Sequence, residues 1–144
     1  MATLSFAAQV DDWVKSTERR LTAVFRESTE RVIEEMQKPV GGGGNMPVDT
    51  GFLRASLMAS TAAMPPMTRP NPGAPAAYDG GQVSLTIAGA DVGDTIYAGY
   101  TANYAAYVNY GANGRPPRQF VGLAAQKWQS IVAAVVSEAK ARVK

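Results

Sequence analysis

The residues with the strongest claim to chemistry are Asp49, Thr50 and Gly51, because an Asp-Thr-Gly turn is how an aspartic protease presents its carboxylate. That reaction uses two carboxylates sharing one proton, so a chain with one such triplet needs a second copy to complete the site. The flanks do not suit a protease turn. Four glycines, Gly41 to Gly44, stand upstream where an apolar strand is wanted, and Phe52 follows where Ser or Ala is usual. The other carboxylate pairs, Asp11 with Asp12 and Glu34 with Glu35, are adjacent on a helical pattern and diverge rather than converge on a metal. Ser56, Ser60 and Ser84 have no histidine to activate them, and the chain contains no cysteine. Thiolate nucleophiles, disulfides, Cys/His zinc sites and imidazole bases are thereby excluded. The tetraglycine lacks the Gly-Lys-Ser/Thr and the preceding buried strand of a phosphate loop. Nothing in the residues argues for an enzyme, and no cofactor is implied.

A second group, Tyr97, Tyr100, Tyr104, Tyr107 and Tyr110, is crowded into fourteen positions. Tyrosine suits protein interfaces, since it offers a rigid apolar body and a hydroxyl that still seeks a partner. Two or three of these rings are expected to cover the core instead. Base stacking needs interleaved cations, and there is no Lys or Arg between Asp94 and Gly114.

The elements that must position these residues follow from the bulk numbers and the periodicity. At 144 residues, with 46% hydrophobic and 18% charged content, the chain fits one globular domain over residues 1–144. A net charge of +2 does not point to nucleic acid as the main partner. There is no apolar run long enough to span a membrane, and the N-terminus reaches acidic residues too early for a secretory signal. The chain is expected to be soluble in the cytoplasm when made.

From Leu4 to Lys38 the apolar residues recur in steps of three and four, which predicts one amphipathic helix about 50 Å long. That exceeds what a domain of this size needs for its own core, so its far end should pack on something else. Pro39 ends the helix and the glycines release the chain. Residues 52–60 read as a short helix running into a strand, with Asp49 or Thr50 as its N-cap. Residues 64–81 hold five prolines and three glycines and should form an extended loop, mobile in a free subunit. Val83, Leu85 and Ile87 alternate with polar residues, predicting a strand over 82–88 that pairs with 94–100 as a hairpin, with the residues before the loop as a third strand. A short helix around Tyr104 to Val108 ends at Gly111, and a last helix is expected from Gln119 to Val143. The fold class is α+β, with a long N-terminal helix and a C-terminal helix packed on a small antiparallel β-sheet.

Two stretches, PVDTGFLRASL at 47–57 and YAAYVNYGANGRPPRQFVGLAAQ at 104–126, together resemble the tail-component family of long-tailed bacteriophages, the Hong Kong 97 gene-product-ten type. The resemblance spans most of the chain, from the first helix to the last. It implies a structural virion protein at the head-to-tail joint, a neck or tail-completion ring between connector and tail tube through which DNA passes unbound. It implies no catalysis. The partners would be further copies of the chain, the connector or adaptor, the tail terminator and the tail tube. Six-fold tail tubes favour six copies, with twelve, the portal number, as the alternative.

Matching the family's boxes, the resemblance carries Asp49, Thr50, Gly51, Leu53, Arg54 and Ser56 from the first, and Tyr104, Tyr107, Tyr110, Gly111 and Phe120 from the second. With Arg115 these residues are expected at the contact between adjacent subunits. The alternative for the first box is an intramolecular cap beside a solvated Arg54. Two positions depart from the family pattern, Asn109 where an acid is usual and Gln119 where a proline is usual. A tail terminator or minor capsid-associated protein would share this small α+β, ring-forming design. A small binding module of a mobile element is the reading from another class.

Overall fold

The computed structural model describes residues 5–142. Helix α1 spans Phe6–Gln37, begins at a Ser5 cap whose side chain accepts from the Ala8 amide, and ends ahead of Pro39. Leu4 lies outside the described residues. The second half of α1 is clamped to the body. From Thr22 onward its side chains meet the body. Arg26 Nε donates to the Ala90 carbonyl at 2.8 Å, Lys127 Nζ reaches Glu35 at 2.8 Å, and Arg31 holds Glu138 through two guanidinium nitrogens.

Beyond α1 the glycines fold into a compact return. The Val40 amide donates to the Met46 carbonyl and the Met46 amide to that of Lys38, which seats Met46 fully inside the core. At Gly44 a Cβ would lie 2.0 Å from the Lys38 carbonyl oxygen, so the close approach needs glycine. Helix α2, Phe52–Ala55, then runs into strand β1, Leu57–Ser60. The cap position of α2 is Gly51, at φ 88°, rather than Asp49 or Thr50. Thr50 still contributes, since its hydroxyl oxygen accepts from the Phe52 amide at 3.3 Å.

Strand β2, Tyr97–Tyr100, pairs antiparallel with β1, Leu57 opposite Tyr100. The hairpin expected over 82–100 does not form. Residues Gly81–Ala88 are instead helix α3, lying against β1. The reason is visible in the side chains. Val83 and Ile87 are buried, one helical turn apart, while Leu85 is 76% exposed; a strand would have put all three on one face. Gln82 supplies what a pairing strand would have given the edge of β1. Its Oε1 accepts from the Ala59 amide at 2.9 Å and its Nε2 donates to the Ala59 carbonyl at 2.6 Å. Thus β1 and β2 are the two strands found among the described residues, with β1 continuing from the short helix as expected.

Helix α4, Ala105–Tyr110, stops at Gly111, whose amide donates to the Tyr107 carbonyl. The single final helix is in fact two, α5 (Phe120–Gln126) and α6 (Trp128–Arg142), broken at Lys127, where the amide reaches back three residues to the Ala124 carbonyl. The break turns Trp128 off the buried stripe that holds Phe120, Ala124 and Val135. Val143 lies outside the described residues. The architecture is α+β and mostly helical: α1, α5 and α6 pack on one another, with α3 and the two-stranded sheet completing the core. No described helix is long and apolar enough to cross a membrane.

The Pro/Gly-rich segment 64–81 lies against this body. Its Arg69 amide donates to the Thr101 carbonyl, its Arg69 carbonyl accepts from the Asn103 amide, and its Ala76 amide donates to the Thr50 carbonyl.

Candidate functional site

The two boxes, some fifty residues apart in sequence, meet across one cleft of about 750 Å³. Pro47, Asp49, Thr50 and Gly51 form one wall; Tyr104, Tyr107, Arg115 and Arg118 form the other. Each wall is held by local backbone chemistry. On the first, Gly51 lets the chain turn where a Cβ would come 2.3 Å from the Ala76 carbonyl oxygen. On the second, Asn113 and Gly114 have φ of 53° and 77°, and the Arg115 amide closes onto the Ala112 carbonyl at 3.0 Å. Positive φ at both central residues is the pattern of a tight two-residue turn, for which Asn-Gly is the favoured pair.

Asn109, in α4, ties that helix to the start of α5. It is 6% exposed; its carbonyl accepts from the Gln119 amide and its Oδ1 from the Val121 amide at 3.1 Å. The side chain at this departure from the family pattern therefore faces inward, where it satisfies an orphan amide at the start of α5. The other departure has an equally local cause. Gln119 sits at φ 52°, a value that proline's ring forbids.

Of the residues expected at subunit contacts, the structure places Asp49, Thr50, Gly51, Leu53, Tyr104, Tyr107 and Arg115 along the cleft. Tyr110 stands outside it, 78% exposed. Leu53, Ser56 and Phe120 are buried, at 5%, 0% and 1% exposure, and their side chains serve the subunit's own core. Phe120 stacks edge-on against Tyr100 at 5.1 Å between centroids. Gly111 holds a φ of 86°, with the Arg115 carbonyl 2.9 Å from where a Cβ would be.

Arg54 is engaged inside the chain rather than left free on the surface. Its Nε donates to the Gln37 carbonyl at 2.8 Å, and its guanidinium lies over the Tyr78 ring at 5.4 Å. It thereby closes the C-terminal end of α1, whose last carbonyls have no intrahelical partner. Gln37 answers, donating from Nε2 to the Arg54 carbonyl and accepting the Tyr100 hydroxyl at 2.6 Å. Burial pushes the Tyr100 phenol far up, so it remains a donor across the accessible pH range.

Electrostatically the cleft is unbalanced. Asp49 is the one carboxylate among its lining residues and faces two guanidinium side chains, Arg115 and Arg118. Burial raises the Tyr104 phenol, and the Asp49 charge raises it further, so that ring is neutral and able to donate. Arg69 covers the Phe52 ring at 5.1 Å, and Phe52 in turn contacts Tyr104 at 6.4 Å. The described residues contain no group of three His, Cys, Asp or Glu side chains that could hold a metal ion.

Compared with known protein families, with curated proteins and with solved structures, the chain matched none.

What the cleft offers chemically is recognition. It pairs aromatic and proline walls with two planar cations, a combination that accepts an apolar side chain flanked by carboxylates. Several of its residues escape the sequence reading. Arg118, Asn71 and Pro47 line it without having been singled out, and Arg69 supports it from the loop. The Asn113-Gly114 pair was the signal available for the second wall; for Asn71 and Arg69 no local signal exists, because a long-range backbone contact puts them there.

Proposed function

We propose that this protein is a structural subunit of a tailed-phage virion, forming a ring at the head-to-tail joint that links connector and tail tube and lets DNA pass. The observation that carries this reading is the meeting of the two boxes. The motifs on which the family resemblance rests close on one cleft, with Tyr107 in its lining 65% exposed. Rings of one subunit type need two different complementary patches on each copy. The exposed apolar stripe on α1 and the cleft supply two such patches. In this reading the role is binding, without catalysis. The partners are further copies of the chain, the connector or adaptor, the tail terminator and the tail tube, in the virion neck.

The test is the mass of the purified protein by light scattering across a concentration series, with and without tail-tube protein. A ring of six copies, alone or once the tube is present, is the expected result. A monomer that persists in both conditions overturns the proposal and favours a small binding module.

A further inference from the structure

Side chains five whole turns apart lie on one line of a helix surface, and on α1 such a line joins its two halves. Val10 is aligned with Ser28, and Trp13 with Arg31. In the C-terminal half the line is covered. Ser28 is fully buried, Arg31 holds Glu138 of α6, and Glu35 holds Lys127 just ahead of α6. These two ties run α6 antiparallel to α1. In the N-terminal half the same line is exposed, with Phe6 at 83%, Val10 at 44%, Trp13 at 69%, Val14 at 39% and Leu21 at 51%. The five side chains fall within about 100° of arc. Glu18 and Asp11 edge one side of this stripe, and Arg20 edges the other.

A cover for the stripe needs an apolar row about 24 Å long. The other exposed large apolar side chains among the described residues stand singly or in pairs, so the row that fits is the stripe of a second copy. It matches itself. Laid antiparallel about a point between Trp13 and Val14, two copies set Phe6 against Leu21, Val10 against Thr17 and Trp13 against Val14. The larger side chain of each pair then meets a smaller one. The Thr17 hydroxyl already donates to the Trp13 carbonyl at 2.8 Å, so burying it leaves no unpaired donor. The position of α6 sets the orientation. A parallel pair would bring both bodies to one end, each with α6 standing on the line where the helices meet, whereas antiparallel helices keep the bodies at opposite ends. The exposed apolar area is about 550 Å² per copy, which suits a weak, concentration-dependent pair.

We propose that the free protein forms a two-fold dimer in which the N-terminal halves of α1 pack antiparallel, Trp13 of each copy against Val14 of the other. The contact is isologous, one patch meeting itself. It stands apart from the ring reading but bears on it, because that reading draws on the same stripe. The pair must open before a ring contact can use it.

The chain has no cysteine, so introduced thiols report the register directly. In this pairing the two thiols of Val14→Cys lie about 1.5 Å apart along the axis on one flank, within disulfide reach, and those of Val10→Cys about 10 Å apart. Mild oxidation of the full chain is expected to link Val14→Cys into a dimer about tenfold faster than Val10→Cys. Sedimentation equilibrium of the wild type should show monomer and dimer in exchange, and Trp13→Glu should raise the dissociation constant about tenfold with helix content unchanged. Glu18 comes level with the partner's Asp11, so Glu18→Lys should tighten the pair; in a parallel pair it would face the Arg20 flank and weaken it. Faster linkage through Val10→Cys, equally slow linkage in both, or a weaker pair with Glu18→Lys overturns the proposal. A wild type monomeric at every concentration without the tube protein also overturns it, and leaves the ring reading standing if a ring forms once the tube is added. A dimer that persists with the tube supports the pair and overturns the ring.

Discussion

At Gly51 the backbone takes a φ of 88°, and an added Cβ would lie 2.3 Å from the Ala76 carbonyl oxygen, which is backbone and cannot swing away. The turn thus carries both a left-handed conformation and a close approach that any side chain blocks. Gly51→Ala is expected to lower stability by more than about 2 kcal/mol, read as a drop in the urea midpoint at unchanged slope. An unchanged midpoint would show that the turn relaxes. Ser28 is the opposite case. Its hydroxyl is fully buried in α1 and is the one buried side-chain polar atom without a hydrogen-bond partner among the described residues. Removing an unpaired buried hydroxyl relieves its desolvation, so Ser28→Ala should raise stability by about 1 kcal/mol; calorimetry showing a lower melting temperature would contradict this. Two of the three arginines in the boxes, Arg54 and Arg115, also differ in kind. Arg54 closes the end of α1, whereas Arg115 faces the cleft. Sequence alone could not separate them, because what divides them is the carbonyl of Gln37, seventeen residues from Arg54.

Among the elements, α1 was legible because its apolar steps of three and four persist for more than thirty residues, far beyond chance agreement with another period. Helix α3 was not. Val83, Leu85 and Ile87 alternate over seven residues, and a stretch that short fits a strand as well as it fits a helix burying only positions 83 and 87. The deciding interaction is tertiary: the Gln82 amide hydrogen-bonds Ala59 as a strand backbone would. The break at Lys127 was equally hidden, since the stripe continues across it with only Trp128 displaced. The packing of α1 on α6 carries a pH dependence that can be worked out. A hydrogen bond from Arg31 holds the Glu138 carboxyl below its ordinary range, and one from Lys127 does the same for Glu35. Carboxyls that titrate lower in the folded chain stabilise it fully above their unfolded value of about 4.3, and that contribution is lost as pH falls through the lower, folded values. Urea midpoints should therefore decline below about pH 4, and Glu138→Gln should make the decline shallower. An identical acid profile in the variant would show that solvent screens the pair completely.

Over the whole molecule, what the sequence left unread was chiefly the meeting of distant parts. Both boxes were visible as boxes, but nothing local says that residues 47–53 and 104–118 share a cleft. Their convergence depends on the segment 64–81, which crosses between them with Arg69 on Thr101 and Asn103, and Ala76 on Thr50. Amide exchange tests that role. The amides of Arg69, Ala76 and Asn103 are expected to exchange more slowly than that of Gly73, and the whole segment should slow further once the ring is assembled. Uniformly fast exchange in the assembled particle would mean that the segment does not brace the cleft.

The uneven clamping of α1 has a mechanical side. Residues 6–21 form an arm of about 24 Å on the N-terminal side of Thr22. Such an arm is a lever whose fulcrum lies near Thr22, where the Val92 amide meets the threonine hydroxyl at 3.3 Å. A swing of about 10° there carries Phe6 through about 4 Å while α1 keeps every one of its own hydrogen bonds. The tip can thus adjust its reach by the width of a side chain with the core undisturbed, and stiffening the fulcrum would fix that reach.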